Sequence, residues 1–124
     1  MVYDIQKMKA CGFNMLRKHI KIEPLRWYYH CDMLGMIVWQ DLVSGGERLD
    51  PLVIQVLPFL NVNLQDGKYH RFGREDPASR EQFVRDLHDT VDLLYNVPSL
   101  AVWVPFNEGW GQFDSLTAAQ LLWD

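Results

Sequence analysis

Polar and ionisable side chains follow three apolar stretches of the sequence. Arg17-Lys18-His19 ends the first stretch, Gln40-Asp41 the second and Asn107-Glu108-Gly109-Trp110 the third. The interior of a parallel sheet has no water to solvate such groups, so we expect them at an edge of the sheet that faces a cleft. The sequence therefore predicts a single polar rim that could carry chemistry.

Glu108 is the sharpest candidate at this rim. It follows Trp103-Val104-Pro105-Phe106-Asn107, so we expect its carboxyl group to project from a buried strand into an aromatic-lined pocket. Partial desolvation raises the pKa of a carboxylic acid, which suits a group that must donate a proton near neutral pH. The alternative is a structural glutamate paired with a nearby arginine, because ion-pair networks also perturb carboxyl groups.

Arg17 and His19 are two residues apart, which puts them on the same side of a strand. In a functional role they would hold and orient carboxylates or substrate hydroxyls. The alternatives are a buried ion pair for Arg17, which needs an anionic partner at such a rim, and a hydrogen-bonded structural histidine for His19. Lys18 should point toward the helices, where we expect it to stay solvated.

The elements that must position these residues are predicted to alternate along the chain. The predicted order is helix 4–11, strand 13–20, a helix from Pro24 to Leu34, strand 36–41, a long loop at 42–75, a helix opened by Asp76-Pro77, strand 100–106 and a last helix from about 114. This alternation predicts parallel strands with right-handed crossovers. A loop as long as 42–75 inside a compact domain usually has a function.

Two α/β architectures satisfy this order: a doubly wound open sheet, or part of a (β/α)8 TIM barrel. A whole barrel needs roughly 250 residues, and the chain has 124. About three parallel strands with flanking helices therefore predict an excerpt of a larger fold. The side chains expected in its core are Trp39, Trp103, Phe83, Leu87, Val91, Leu94, Leu116, Ala119, Leu122 and Trp123.

Composition argues against several classes of protein. With 48% hydrophobic residues the chain is typical of a folded domain. Its net charge of −4, without a basic block, argues against a nucleic-acid partner. The apolar runs are too short to span a membrane, and no signal-peptide pattern opens the chain.

Neither a metal nor a cofactor is predicted. His30, His70 and His88 lack metal-ligand spacing, and no glycine-rich phosphate loop joins a strand to a helix. Cys11 and Cys31 fit no zinc or redox motif, so we expect small buried thiols that do not indicate a compartment.

Three blocks of the chain resemble the barrel of family 2 glycoside hydrolases. They are Gly12-Phe13-Asn14-Met15-Leu16-Arg17-Lys18-His19 with Trp27-Tyr28-Tyr29, Asp32 and Leu34-Gly35; Val38-Trp39-Gln40-Asp41; and Pro98-Ser99-Leu100 with Trp103 and Phe106-Asn107-Glu108-Gly109-Trp110-Gly111. They are similar, in order, to the second, third and fourth strands of that barrel. The family includes β-galactosidases, β-glucuronidases and β-mannosidases.

The resemblance implies that residues 1–124 are a fragment of the catalytic barrel of a retaining, exo-acting, β-galactosidase-like β-glycosidase. Glu108 would be the general acid/base, and Asn107 would hydrogen-bond the sugar 2-hydroxyl. Arg17 would lie on the barrel floor near the nucleophile, and His19 would contact a sugar subsite. The expected partner is a β-linked carbohydrate substrate, with no nucleic acid and no membrane.

Two residues of the rim keep several possible roles. Asp41 could bind a sugar hydroxyl, orient Arg17 or cap the long loop. Trp110, in a loop flanked by glycines, could present a flat apolar face to the C–H surface of a sugar, or could simply pack at the rim.

Part of the catalytic machinery of this family does not match any position of the chain. Retaining hydrolysis needs a nucleophilic carboxylate about 5–5.5 Å from the acid/base, and in this family it lies near the end of the seventh strand. We therefore expect activity in the parent enzyme and none in the fragment. We also expect the fragment to self-associate through exposed sheet edges.

Three alternatives remain at the level of sequence. The first is a non-catalytic carbohydrate-binding or scaffold protein built on the same fold. The second is a doubly wound domain that binds a phosphorylated ligand, although Lys18-His19-Ile20-Lys21 lacks the glycines of a phosphate cradle. The third is another barrel hydrolase with Asn-Glu after its fourth strand.

Overall fold

The computed structural model describes residues 1–62, 64–109 and 111–123. Its helices are α1 (Val2–Ala10), α2 (Leu25–Leu34), α3 (Pro77–Leu94) and α4 (Ser115–Trp123), and its strands are β1 (Met15–Lys18), β2 (Ile37–Asp41) and β3 (Leu100–Val104). The predicted alternation of helices and strands is therefore confirmed, with each strand shorter than its apolar stretch.

The three strands form one parallel sheet in the order β1-β2-β3. Arg17 is level with Trp39, and Trp39 is level with Val102, so these side chains share one face of the sheet. The parallel arrangement brings the carboxyl ends of all three strands to the same edge. The polar residues that follow the strands are thus gathered at one rim.

Two hydrophobic clusters hold the helices against the other face of the sheet. The first joins α1, α2 and the end of α3 to β2 through Ile5, Trp27, Tyr28, Cys31, Met36, Val38 and Leu94. The second joins the long loop to α3 and α4 through Leu42, Phe83, Leu87, Phe113 and Ala118. Trp103 packs against both clusters, so β3 links them.

Local sequence signals account for two of the helix boundaries. The carboxylate of Asp76 accepts a hydrogen bond of 2.9 Å from the Ala78 N–H, and Pro77 occupies the first position of α3. Gly35 ends α2 in the left-handed conformation (φ 62°), which a residue without a Cβ adopts at little cost.

The long loop, residues 42–75, contains three short helical turns at Leu52–Val56, Pro58–Leu60 and Tyr69–Phe72. The first of these turns begins directly after Asp50-Pro51, where the Asp50 carboxylate accepts a hydrogen bond of 3.0 Å from the Leu52 N–H. The Glu47 N–H donates to the Gly73 carbonyl over 2.8 Å, which closes the base of the loop. The two ends of the long loop are therefore held together near the rim.

Four predictions about burial were wrong. In α4, Ala119 is exposed, Leu116 and Trp123 are 87% and 88% exposed, and the helix instead buries Ala118. Most of α4 is apolar, so its pattern does not determine which face packs. Trp39 is 40% exposed because it lies on the sheet face that none of the described helices covers.

The expected burial of Cys11 and the expected solvation of Lys18 were also wrong, although Lys18 does point toward the helices. Lys18 is half-buried, pairs with Glu23 and lies 4.9 Å from the centre of the Trp27 ring. Cys11 is exposed because it falls just beyond the last turn of α1. Cys31 is buried as expected, and burial raises the pKa of its thiol to about 11.

Candidate functional site

Arg17, Asp41 and Asn107 meet at the rim formed by the carboxyl ends of the strands. Arg17 belongs to β1, Asp41 is the last residue of β2, and Asn107 lies three residues beyond β3. Asp41 and Asn107 are buried, whereas the Arg17 side chain is 41% exposed. The three strands thus each contribute one residue to a connected polar cluster, which we call the rim cluster.

A bidentate ion pair joins Arg17 to Asp41. The Arg17 Nε donates to Asp41 Oδ1 over 2.8 Å, and its Nη2 donates to Oδ2 over 2.9 Å. This hydrogen bonding, together with the charges of Asp41 and Glu108, raises the pKa of Arg17 despite some desolvation. Both carboxylate oxygens of Asp41 accept hydrogen bonds from Arg17. Of the contacts expected for Asp41, the structure therefore contains the one in which it orients Arg17.

Asn107 is oriented by the same arginine. Arg17 Nη2 donates to Asn107 Oδ1 over 2.9 Å, and an arginine can only donate, so the Asn107 oxygen must face it. The amide nitrogen, Nδ2, therefore points away from the ion pair. It is buried and has no hydrogen-bond partner among the residues that the structure describes. A buried N–H donor in this state can bind an incoming acceptor.

Glu108 follows this oriented amide and is exposed. Its charge contributes to the raised pKa of Arg17, which places the carboxylate within electrostatic range of the rim cluster. Its backbone has φ 52°, an uncommon left-handed conformation for a glutamate, and Gly109 continues it with φ 75°. The aromatic-lined pocket expected around Glu108 is not formed by the described residues, since Phe106 stacks on Phe83 instead.

The structure brings Arg17, Asp41, Asn107 and Glu108 together but leaves His19 outside the cluster. His19 is exposed and forms no hydrogen bond or ion pair with the rest of the described chain. Trp110, the remaining candidate, lies outside the described residues. The predicted roles of both residues stay predictions.

A second network of hydrogen bonds, which was not predicted from the sequence, lies next to the rim cluster. The buried Gln40 accepts a hydrogen bond of 2.6 Å from the Tyr28 hydroxyl and donates to the Lys21 carbonyl over 2.9 Å. The Ile20 N–H donates to Asp41 Oδ2 over 3.3 Å. These contacts hold residues 19–23 against β2. The one sequence feature that could have indicated this network is Gln40 next to Asp41. That feature does not identify Tyr28 as the partner of Gln40.

Within residues 1–62, 64–109 and 111–123, no group of three histidine, cysteine, aspartate or glutamate side chains is arranged to hold a metal ion. No helix in the same ranges is both long and apolar enough to cross a membrane.

Comparison with known proteins gives one similar sequence and several similar folds. No family model matches the chain. A mannosylglycoprotein endo-β-mannosidase from Lilium longiflorum is 30% identical over 107 residues, which are 85% of this chain and 10% of the lily protein. The chain therefore spans about a tenth of the length of this relative.

Two solved β-glucuronidases contain the same fold. The apo structure of Bacteroides uniformis β-glucuronidase 3 has a TM-score of 0.55 and 16% identity, and the match covers 97% of this chain and 13% of that one. Parabacteroides merdae β-glucuronidase gives 0.54 and 18%, covering 98% and 13%. At these identities the likeness concerns the fold, which is that of part of a glycoside hydrolase barrel.

The three motif blocks resemble family 2 glycoside hydrolases. The sequence similarity to a β-mannosidase and the fold shared with β-glucuronidases agree with that resemblance. We conclude that the chain is a segment resembling the (β/α)8 barrel of family 2 glycoside hydrolases.

Proposed function

We propose that this chain supplies the acid/base side of the active site of a retaining β-glycosidase, with Glu108 as the general acid/base. The observation that carries the proposal is the Nδ2 of Asn107, which is buried, fixed in orientation next to Glu108 and unpartnered among the described residues. A glycosidase of this type needs such a donor for the sugar 2-hydroxyl next to its proton donor.

In the proposed mechanism Glu108 protonates the glycosidic oxygen as the bond from that oxygen to the anomeric carbon breaks. A nucleophilic carboxylate forms the glycosyl-enzyme ester. Glu108 then takes a proton from water, whose oxygen attacks the anomeric carbon and releases the nucleophile. The exposure of Glu108 suits a group that must meet both a leaving group and water.

Asp41 does not fit the role of nucleophile. It is fully buried, and both its oxygens accept hydrogen bonds from Arg17. We therefore propose that residues 1–124 contribute about strands 2 to 4 of a barrel and that the nucleophile lies in another part of the full-length protein. Arg17 Nη1 donates to none of the described residues, which leaves it available to orient that carboxylate.

The sugar is left to experiment because the relatives differ in the names of their substrates: a mannosidase and glucuronidases. A panel of aryl β-galactosides, β-glucuronides, β-mannosides and β-glucosides should identify the substrate of the full-length protein. We expect hydrolysis of at least one member and no turnover by residues 1–124 alone.

Replacement of Glu108 tests the proposal. We expect Glu108→Gln to lower kcat/KM by about 10²–10⁴-fold for substrates with poor leaving groups, since proton transfer contributes that much. The matched control is Glu81→Gln, which removes an exposed carboxylate of α3 whose ion pair is with Arg85, and should leave the rate unchanged.

A second variant identifies the role of the carboxylate. With Glu108→Ala, added azide should restore turnover of an activated substrate and yield a β-glycosyl azide, because azide attacks the glycosyl-enzyme without base assistance. Full activity of either variant on a poor leaving group would contradict the assignment. Binding of sugars without hydrolysis by the full-length protein would favour the non-catalytic alternative.

A further inference from the structure

Arg74, near the end of the long loop, is a buried cation. It is 2% exposed, and burial lowers the pKa of its guanidinium. Among the described residues no carboxylate lies within ion-pair distance of it. A buried charge is unfavourable unless hydrogen bonds and ring contacts compensate for the lost water.

The compensating contacts join the long loop to the chain that follows Glu108. Arg74 Nε donates to the Gly111 carbonyl over 2.7 Å, and Nη1 donates to Ser79 Oγ over 3.1 Å. The guanidinium carbon lies 5.2 Å from the ring centres of both Phe83 and Phe113. Gly111 and Phe113 belong to the segment after Glu108, which we call the post-strand segment (residues 107–109 and 111–115).

The two backbones touch at this point. A Cβ on Gly111 would lie 2.2 Å from the Gly45 carbonyl oxygen and 3.2 Å from Arg74 Nη2, so a side chain there would collide with the long loop. Gly111 also has φ 63°, a conformation that favours glycine. The close approach of the loop and the segment thus requires glycine, and Arg74 fills the space beside it.

Two further hydrogen bonds fasten the same segment to the long loop. Asp66 Oδ2 accepts from Gln112 Nε2 over 3.1 Å, and the Tyr69 hydroxyl donates to Asp114 Oδ2 over 2.8 Å. On the other side, Asn107 is held by Arg17. Glu108 therefore lies between two fixed points, the rim cluster and the Arg74 contact.

We infer that Arg74 is a positioning residue that fixes the carboxylate of Glu108 by holding Gly111. This inference rests on the proposed function of Glu108. The left-handed backbone of Glu108 is unfavourable for a residue with a side chain and persists only when its surroundings hold it. Loss of the Arg74 contact releases one of the two fixed points, so the carboxylate no longer stays in line with the leaving-group oxygen.

The test uses leaving groups of different acidity, because general-acid catalysis matters only for poor leaving groups. In the full-length protein we expect Arg74→Met to lower kcat/KM for a phenyl β-glycoside by about 10²-fold, the effect of a misplacement of roughly 1 Å. The rate with a 2,4-dinitrophenyl glycoside, whose leaving group needs no proton, should change little. Arg74→Lys should restore only part of the loss, since lysine cannot reach Gly111 and Ser79 together.

Two reference variants make the outcome decisive. Leu94→Ala removes a buried side chain of the first hydrophobic cluster, which contains no residue of the post-strand segment, and should affect both substrates equally through stability. Glu108→Ala should give the full leaving-group dependence. If Glu108→Ala shows that dependence and Arg74→Met lowers both substrates equally, the role of Arg74 is refuted. If Glu108→Ala lacks the dependence, the proposed function fails instead.

Discussion

The Asn107 side chain is fixed through one of its two polar atoms. Its oxygen accepts a hydrogen bond from Arg17, which is itself fixed by two bonds to the buried Asp41. The amide nitrogen has a defined direction and no hydrogen-bond partner among the described residues. The ion pair between Arg17 and Asp41 therefore also fixes the orientation of the Asn107 amide.

The role proposed for the Asn107 amide can be tested with a 2-deoxy substrate, which lacks the sugar 2-hydroxyl. In the full-length protein we expect Asn107→Ala to lower kcat/KM by about 10²-fold for a substrate with a 2-hydroxyl, since that contact strengthens in the transition state. The same variant should change the rate of the 2-deoxy substrate far less. Parallel kinetics with both substrates give the comparison, and an equal loss with both would indicate that Asn107 is needed only for folding.

At the scale of elements, the long loop is a support for the post-strand segment and for α4. Asp66 Oδ2 accepts a hydrogen bond of 2.9 Å from the Ser115 N–H, the first residue of α4, in addition to the bond from Gln112. Burial alone would raise the pKa of Asp66, but the hydrogen bonds outweigh it and hold this pKa below its ordinary value. Asp66, in the long loop, thus accepts a hydrogen bond from the first backbone N–H of a helix that begins 49 residues later.

Replacement of Asp66 should destabilise the protein in a pH-dependent manner. We expect Asp66→Ala to lower the free energy of unfolding by about 1 kcal/mol at neutral pH, the usual cost of losing a helix cap. Because the pKa is lower in the folded state, the stabilisation is present above the ordinary value of 3.8 and disappears as the pH falls through the folded value. Urea unfolding at several pH values measures the difference.

The control for this prediction is Asp89→Ala on the exposed surface of α3. It should change the free energy of unfolding by less than about 0.5 kcal/mol. A difference between Asp66→Ala and the unmodified chain that stayed constant down to low pH would argue against the carboxylate as the stabilising group.

At the scale of the whole molecule, one face of the sheet has no cover among the described residues. Met15, Ile37 and Trp39 are between 37% and 43% exposed on this face, although all three are large and apolar. Strands β1 and β3 are edge strands, with free hydrogen-bonding groups. In a closed barrel this face would be the packed interior.

We therefore expect the isolated chain of residues 1–124 to self-associate. Sedimentation velocity over a wide range of concentrations should show species larger than the monomer. Trp39→Glu, which places a charge on the uncovered face, should shift the distribution toward monomer. A monomer that unfolds cooperatively, without dependence on concentration, would be evidence against this prediction.

The order of the elements and the residues at the rim could be derived from sequence alone. Apolar stretches of strand length alternate with capped helices such as α3, and a parallel sheet necessarily collects Arg17, Asp41 and Asn107 at one edge. These features depend on local pattern and on the direction of the strands. The motif blocks around them were enough to indicate the family that the chain resembles.

Only the tertiary structure determined which polar groups meet. Arg17 contacts Asn107 across 90 residues of sequence, and Arg74 contacts Gly111 across 37, in a loop that carries no periodic pattern. The buried face of α4 was also decided by packing, since most of that helix is apolar. Long-range hydrogen bonds depend on where separate elements come to rest, and local propensity carries no information about that.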